Sequence, residues 1–272
     1  MAQDVFMNID ALPVENVQVM ADRLETRAQM DAFAEMRDQY FDAMALPEDA
    51  RILELGGGTG IVGRAYASRD GFKGKYFVTD LSKILLDIGI EKAKADGLTD
   101  LMDFKVVDAL TGEGLEDDGY DAVILHTLLS HVPDPAVIMQ TASNAVKKGG
   151  IVAAFDADYA SLKIESGHQK LDKKIEAIVK ANAVAQPEVM RKLPKLAKDL
   201  GLTRYQVHPH FLAEVGTGSF FVSLAAAVAN IVVAQGSLPR SDADLWNAAL
   251  EEAVENDTFF GMCPYFTYLY RK

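Results

Sequence analysis

Between residues 51 and 158 short apolar runs alternate with segments of helical periodicity, and this alternation constrains the fold more than any other feature of the chain. "RILEL" (51–55) reads as a strand and residues 61–68 as a helix. "KYFVTD" (75–80) is a second strand, after which Ser82 caps a helix running to about Ala95. "DFKVVDA" (103–109) is a third strand, and "YDAVILHT" (120–127) is apolar almost throughout, as in a strand buried on both faces. Asp134-Pro135 opens a further helix as N-cap and first helical residue. Lys147-Lys148-Gly149-Gly150 reads as its cationic last turn with a glycine stop, before a fifth strand, "GIVAAFDAD" (150–158). Strands alternating with helices imply right-handed crossovers and a parallel sheet.

The flanks follow other rules. Residues 15–46 read as one helix, with apolar side chains at three- and four-residue steps and Pro47 closing it. After Asp158 come two helical segments (about 165–183 and 188–200), a strand-like "RYQVHPHFLAEV", a helical pair (219–235 and 241–256), and an aromatic, strand-like end. The organisation expected is a helical lid segment over 1–47 and a Rossmann-like α/β domain over 48–272, with a helical insertion at about 216–257. The net charge of −13 disfavours a large nucleic-acid footprint, so a small-molecule partner is expected. The N-terminus has no basic region followed by an apolar run, and Ser219–Gly236 is too short and Ala-rich to read as a membrane span. We therefore expect a cytoplasmic protein without membrane insertion; a homo-oligomer stays open.

Gly56, Gly57, Gly58 and Gly60 form a loop between the first strand and its helix, where backbone can approach a ligand closely, and Gly63 falls inside that helix, where it permits close helix–strand packing. Taken literally, Gly58-x-Gly60-x-x-Gly63 is a dinucleotide fingerprint, and Asp80 stands at the distance where a carboxylate would accept ribose hydroxyls. Two carboxylates argue for a different ligand. Glu54 lies inside the first strand, where it suits a ligand bearing an amino group. Asp108, ending the third strand, is placed to accept from an exocyclic amine such as that of adenine.

With these motifs in order ("ILELGGGTG", "FVTDLS", "VVDAL", "YDAVILHTLLSHVPDP", "KKGGIVAAFDAD"), the chain resembles the class I S-adenosylmethionine-dependent methyltransferases, in their small-molecule, ubiquinone/menaquinone-biosynthesis-like branch. The resemblance covers roughly residues 50–160. It implies a seven-stranded, mostly parallel sheet with the last strand antiparallel, S-adenosyl-L-methionine as cofactor, and methyl transfer to a small, largely apolar metabolite by in-line displacement. It further implies that Gly56, Gly58 and Gly60 face the methionine moiety with Glu54 near its amino group. Asp80 would hold the ribose, Leu81 would pack on adenine, and Asp108 with Ala109 would read the adenine edge. His126 would lie near the sulfonium through its backbone, and Arg27 would reach the methionine carboxylate. The alternatives are an NAD(P)-dependent oxidoreductase using the literal fingerprint, and a methyltransferase fold that binds the cofactor without transferring the methyl group, as a regulator or cyclase.

His126 and His131 are the candidate catalytic residues, although five residues apart they need not share a face. Asp156, Asp158 and Tyr159 follow the fifth strand on the side where open α/β sheets bind substrate, and any of them could equally cap the next helix. His208 and His210 share one side of a strand, but without a third ligand no metal site is expected. The single Cys263 excludes an intrachain disulfide and reads as core.

Overall fold

The structure, a computed structural model, describes residues 9–182, 184–216 and 220–272. The first eight residues of the predicted lid segment, Ala183 in the predicted 165–183 helix, and Ser219 at the start of the predicted 219–235 helix lie outside the described residues. Strands β1 (Arg51–Leu55), β2 (Lys75–Asp80), β3 (Met102–Val106), β4 (Tyr120–His126) and β5 (Val146–Ala157) form the parallel part of one sheet, in the order β3-β2-β1-β4-β5. The last strand, β8 (Phe259–Arg271), runs antiparallel to β5 along residues 265–271. It also pairs antiparallel with β6 (Lys163–Glu165) along 260–262 and with β7 (Thr203–Gly216) over its full length. The sheet therefore has eight strands, one more than expected. The extra strand is the three-residue β6, too short to carry a periodic signal and created by the overhang of β8 beyond the end of β5.

Helices α3 (Ile61–Ala67), α4 (Lys83–Ala95), α5 (Pro135–Ala145) and α7 (Val189–Asp199) flank the sheet, and α6 (Gln169–Asn182), α8 (Phe220–Ala234) and α9 (Arg240–Glu255) gather at the far end of β8. Ser82 Oγ caps α4 by accepting from Leu85 N at 3.1 Å, and Asp134 caps α5 with Pro135 in its first turn. Residues 147–150 do not end α5. They belong to β5, because the helix stops at Ala145 and Val146 is already extended and paired with Tyr120. The single helix expected over 15–46 is two, α1 (Val14–Gln29) and α2 (Asp31–Met44), broken at Met30, whose ψ is 133°. No glycine or proline marks this break. It follows from two different packing partners. Val17 and Ala21 of α1 join Leu85 and Ile9, whereas Phe33, Met36, Tyr40, Phe41 and Met44 of α2 enter the main core under the sheet.

Gly63 lies inside α3 and sets how closely that helix meets β2. A Cβ there would stand 2.6 Å from the Tyr76 ring and 2.9 Å from Met102 Cε. Gly63→Ala is expected to cost about 1–3 kcal/mol by overpacking, read by denaturant unfolding. Unchanged stability would mean that α3 has room to move outward.

Candidate active site

The loops at the C-terminal ends of β1, β2, β3 and β4 open into one cavity of about 660 Å³, at the point where the strand order reverses between β1 and β4. Its floor is built from Gly56, Gly58, Asp80, Leu81, Asp108, Ala109, Thr127 and Leu128. Its roof is α1, through Met20, Arg23, Leu24 and Arg27, together with one face of α8. A smaller recess of about 50 Å³ adjoins it, sharing Leu24, Arg27, Gly56, Gly58 and Thr127 and adding Glu54 and His126.

The glycine loop is left-handed at Gly56 (φ 67°), Gly58 (φ 55°) and Gly60 (φ 67°), a conformation L side chains rarely adopt. Gly56 also meets Leu128 so closely that a Cβ would stand 2.5 Å from its Cδ1. Asp80 ties the loop down, Oδ2 accepting from Gly58 N and Oδ1 from Ser82 N, each at 2.8 Å. Burial pushes the Asp80 carboxyl up from its ordinary value against the pull of those amides. Gly60 is different from its neighbours. It is the N-cap residue of α3, and a Cβ on it would stand 2.8 Å from Phe104 rather than facing the cavity. Asp108 lies beyond the end of β3, its Oδ1 accepting from Leu110 N at 2.8 Å.

Glu54 is buried in β1, where Tyr76 Oη donates to its Oε2 at 3.0 Å. Burial, opposed by that bond and aggravated by Asp80, raises its pKa to about 8. The folded state therefore holds a proton that the unfolded chain releases near the ordinary value of 4.5. More protons on the native state means stability that is fully present below about 4.5 and lost as pH rises through about 8. Glu54→Gln, which stays neutral, should flatten that part of the stability–pH profile; a slope identical to that of the wild type would place the proton elsewhere.

The two histidines are separated. His126 lines only the recess; Tyr40 Oη lies 3.0 Å from its Nδ1 and Phe155 stacks on it at 4.6 Å. Burial, then Arg27 and Arg37, hold its pKa well below the ordinary value, so the ring is neutral. His131 instead lines the large cavity, 6.4 Å from the Tyr159 ring. Arg27 reaches Thr127 Oγ1 at 3.1 Å and lies over the Phe33 ring. Thr127 itself is strained, at φ 51°, with its N–H donated to Phe155 O at 2.7 Å.

Asp156 lies inside β5 and Asp158 just past it, and of Asp156, Asp158 and Tyr159 only Tyr159 lines the cavity. Asp156 accepts from Ser130 N, Ser130 Oγ and Ala157 N, and Asp158 from Arg191 and Ser161, so both hold loops in place. His208 and His210 bond to Gln206 and Thr267, and the described residues contain no metal-binding cluster. Cys263 is buried, its thiol pushed up by burial. Sequence reasoning missed the cavity face of α8, formed by Phe220, Ser223, Leu224, Ala227, Val228 and Ile231. Their three- and four-residue spacing is a helix signal, but α8 is apolar on its core face as well, so the pattern did not single out a lining.

This arrangement, a glycine loop and two strand-end carboxylates at the switch point of a β3-β2-β1-β4-β5 sheet closed by an antiparallel strand, defines the class. Residues 46–200 match the family described as a methyltransferase domain, and the chain belongs to that family. Demethylmenaquinone methyltransferase of Bacillus velezensis (strain DSM 23117 / BGSC 10A6 / LMG 26770 / FZB42) is 27% identical over 146 residues, 52% of this chain and 60% of that protein. The probable fatty acid methyltransferase of Pseudomonas putida is 33% identical over 129 residues, 46% of this chain and 30% of the relative. The tRNA 5-carboxymethoxyuridine methyltransferase of Escherichia coli (strain K12) is 28% identical over 107 residues, 39% and 40% of the two chains. The chain thus spans between 30% and 60% of the length of these relatives. Among solved structures, a putative sarcosine dimethylglycine methyltransferase from Galdieria sulphuraria superposes with TM-score 0.57 at 19% identity, covering 88% and 84% of the chains. Haemonchus contortus phosphoethanolamine N-methyltransferase 2, in complex with S-adenosyl-L-methionine, superposes with TM-score 0.54 at 16% identity, covering 88% and 52%. At these identities the structures speak for the fold. Family membership sets aside the NAD(P)-dependent oxidoreductase reading, and Gly63, packed against Tyr76, lines neither the cavity nor the recess. No helix among the described residues is long and apolar enough to cross a membrane.

Proposed function

We propose that the chain catalyses methyl transfer from S-adenosyl-L-methionine to a small, largely apolar metabolite. The observation that carries this reading is the continuity of one cavity from a polar end, at Gly56, Gly58, Asp80, Asp108 and Arg27, to an apolar wall on α8. The cofactor fits the donor set: Glu54, a buried carboxyl facing the recess, asks for a cationic partner, and Asp80 and Asp108 offer acceptors beside backbone able to approach closely. When bound, the cofactor supplies an electrophilic methyl group on a sulfonium. Glu54 takes the ammonium and Arg27 the carboxylate; Asp80 takes the ribose hydroxyls; Leu81 packs on the adenine, whose edge Asp108 and Ala109 read. Gly60 contributes by starting α3 rather than by touching ligand. Within the segment through residue 47, α1 serves as the lid, its inner surface lining the cavity, while α2 packs into the core.

His131 is the side chain in the cavity able to accept a proton from the acceptor. His126, neutral and held by Tyr40, supports the backbone at the end of β4 beneath the reacting centre. Positioning donor and acceptor at attack distance supplies much of the rate. The acidic charge favours a small molecule over nucleic acid and, with the buried lone cysteine, fits a cytoplasmic location.

Calorimetry with S-adenosylmethionine, S-adenosylhomocysteine and NADH tests the cofactor, with binding expected for the two sulfur compounds only. Absence of both would overturn the proposal. Incubation with methyl-labelled cofactor and fractionated extract then tests transfer; cofactor binding without labelled product in any fraction would favour the non-transferring or cyclase reading.

A further inference from the structure

The polar groups of α1 that face the cavity are not equally occupied. Arg27 donates to Thr127, Asp22 accepts from Gln18 Nε2 at 2.9 Å, and Glu25 turns away from the cavity to Thr59 and Arg64. Arg23 lines the cavity and makes no hydrogen bond or ion pair with any described residue. It is exposed as well as cavity-lining, which sets it at the mouth of the chamber, one helical turn from Arg27 on the same face of α1.

The setting makes that guanidinium informative. The chain carries −13 overall, so an unpaired cation facing inward runs against its general charge. Its pKa is drawn down, first by burial and then by Arg27, the signature of a cation whose charge is not compensated within the protein. Neither strand-end carboxylate on the same cavity pairs with Arg23: Asp80 accepts from the Gly58 and Ser82 amides and Asp108 from the Leu110 amide. The opposite wall, on α8, offers Ser223 as its only side-chain hydroxyl, among Phe220, Leu224, Ala227, Val228 and Ile231. An unpaired arginine at the mouth of an apolar chamber fits a ligand with an apolar body and one oxyanion, because the planar guanidinium binds carboxylate or phosphate with two parallel hydrogen bonds.

We infer that the methyl acceptor is an anionic amphiphile whose carboxylate or phosphate head is held by Arg23 while its apolar body lies along α8. This rests on the methyltransferase reading, which assigns the rest of the polar end to the cofactor.

The test uses the full chain saturated with S-adenosylhomocysteine and three fluorescent probes of like shape: 2-naphthoate, 2-naphthyl phosphate and neutral 2-naphthalenemethanol. At least one anion is expected to bind ten-fold or more tightly than the alcohol, and comparing the two anions tells carboxylate from phosphate. Arg23→Gln should remove that preference without changing the affinity for the alcohol or for S-adenosylhomocysteine, and Arg23→Lys should restore part of it. An alcohol bound as tightly as both anions, or an anion preference that survives Arg23→Gln, overturns the inference. Intact S-adenosylhomocysteine binding in that event leaves the methyltransferase reading standing; its loss in the unsubstituted chain removes both.

Discussion

Asp80→Ala is expected to weaken S-adenosylhomocysteine binding by about two orders of magnitude, measured by calorimetry. A carboxylate accepting from two hydroxyls contributes through hydrogen bonds to a charged group, each worth roughly 1.5–3 kcal/mol, so a loss near 3 kcal/mol is the expected scale. The same carboxylate shapes the glycine loop, since Gly58 N and Ser82 N both donate to it. Alanine leaves those amides without their partner, so a fall in thermal midpoint should accompany the lost affinity. Asp80→Asn retains the volume and one acceptor oxygen, and is expected to fall between the two. Affinity within a factor of two of the wild type in Asp80→Ala would remove this residue from the ligand site.

The second large effect is on the lid. Glu25 of α1 is buried, and its carboxylate accepts from Thr59 Oγ1 at 2.5 Å and from Arg64 Nη2 at 2.6 Å. It thereby ties the roof of the cavity to the glycine loop and to α3. Arg64 is buried too and keeps only a partly exposed partner, Asp96 at 2.9 Å, when Glu25 is removed. Breaking a buried pair from one side costs about 3–5 kcal/mol, because the remaining charge is stranded. Glu25→Ala should therefore lower the thermal midpoint by roughly 6–20 °C, taking ~2–4 °C per kcal/mol for a chain near this size. Glu25→Leu combined with Arg64→Met should recover much of that stability, because neither charge is then buried alone. It should not recover the full affinity for S-adenosylhomocysteine, since α1 would no longer be anchored to the loop. A shift of under about 1 °C in Glu25→Ala would show that apolar contacts alone seat α1.

Much of the site was legible because its parts lie close to strand ends. Glu54, Gly56, Gly58, Asp80 and Asp108 sit at or just past the ends of β1, β2 and β3, and a parallel α/β alternation brings such ends together. His126 and His131 show the limit of that logic. His126 ends β4 and His131 follows it, yet one lines a recess beside Tyr40 and the other faces the cavity, because the chain turns at Thr127 with a positive φ that no motif announces. The break at Met30 was invisible for a related reason. Helical periodicity continues across it, and only the two separate surfaces that α1 and α2 cover require a change of direction.

By itself the sequence determined the fold class, the position of the glycine loop and the carboxylates around it, since these depend on local periodicity, turn chemistry and strand order. Only the tertiary structure decided which of those groups face open space. It placed Gly60 at the start of α3 with its Cβ position toward Phe104, left Arg23 at the cavity mouth without a partner among the described residues, and made one face of α8 a wall instead of core. Those outcomes depend on contacts between segments far apart in the chain, such as Glu25 with Arg64 and α1 opposite α8, and no local pattern encodes them.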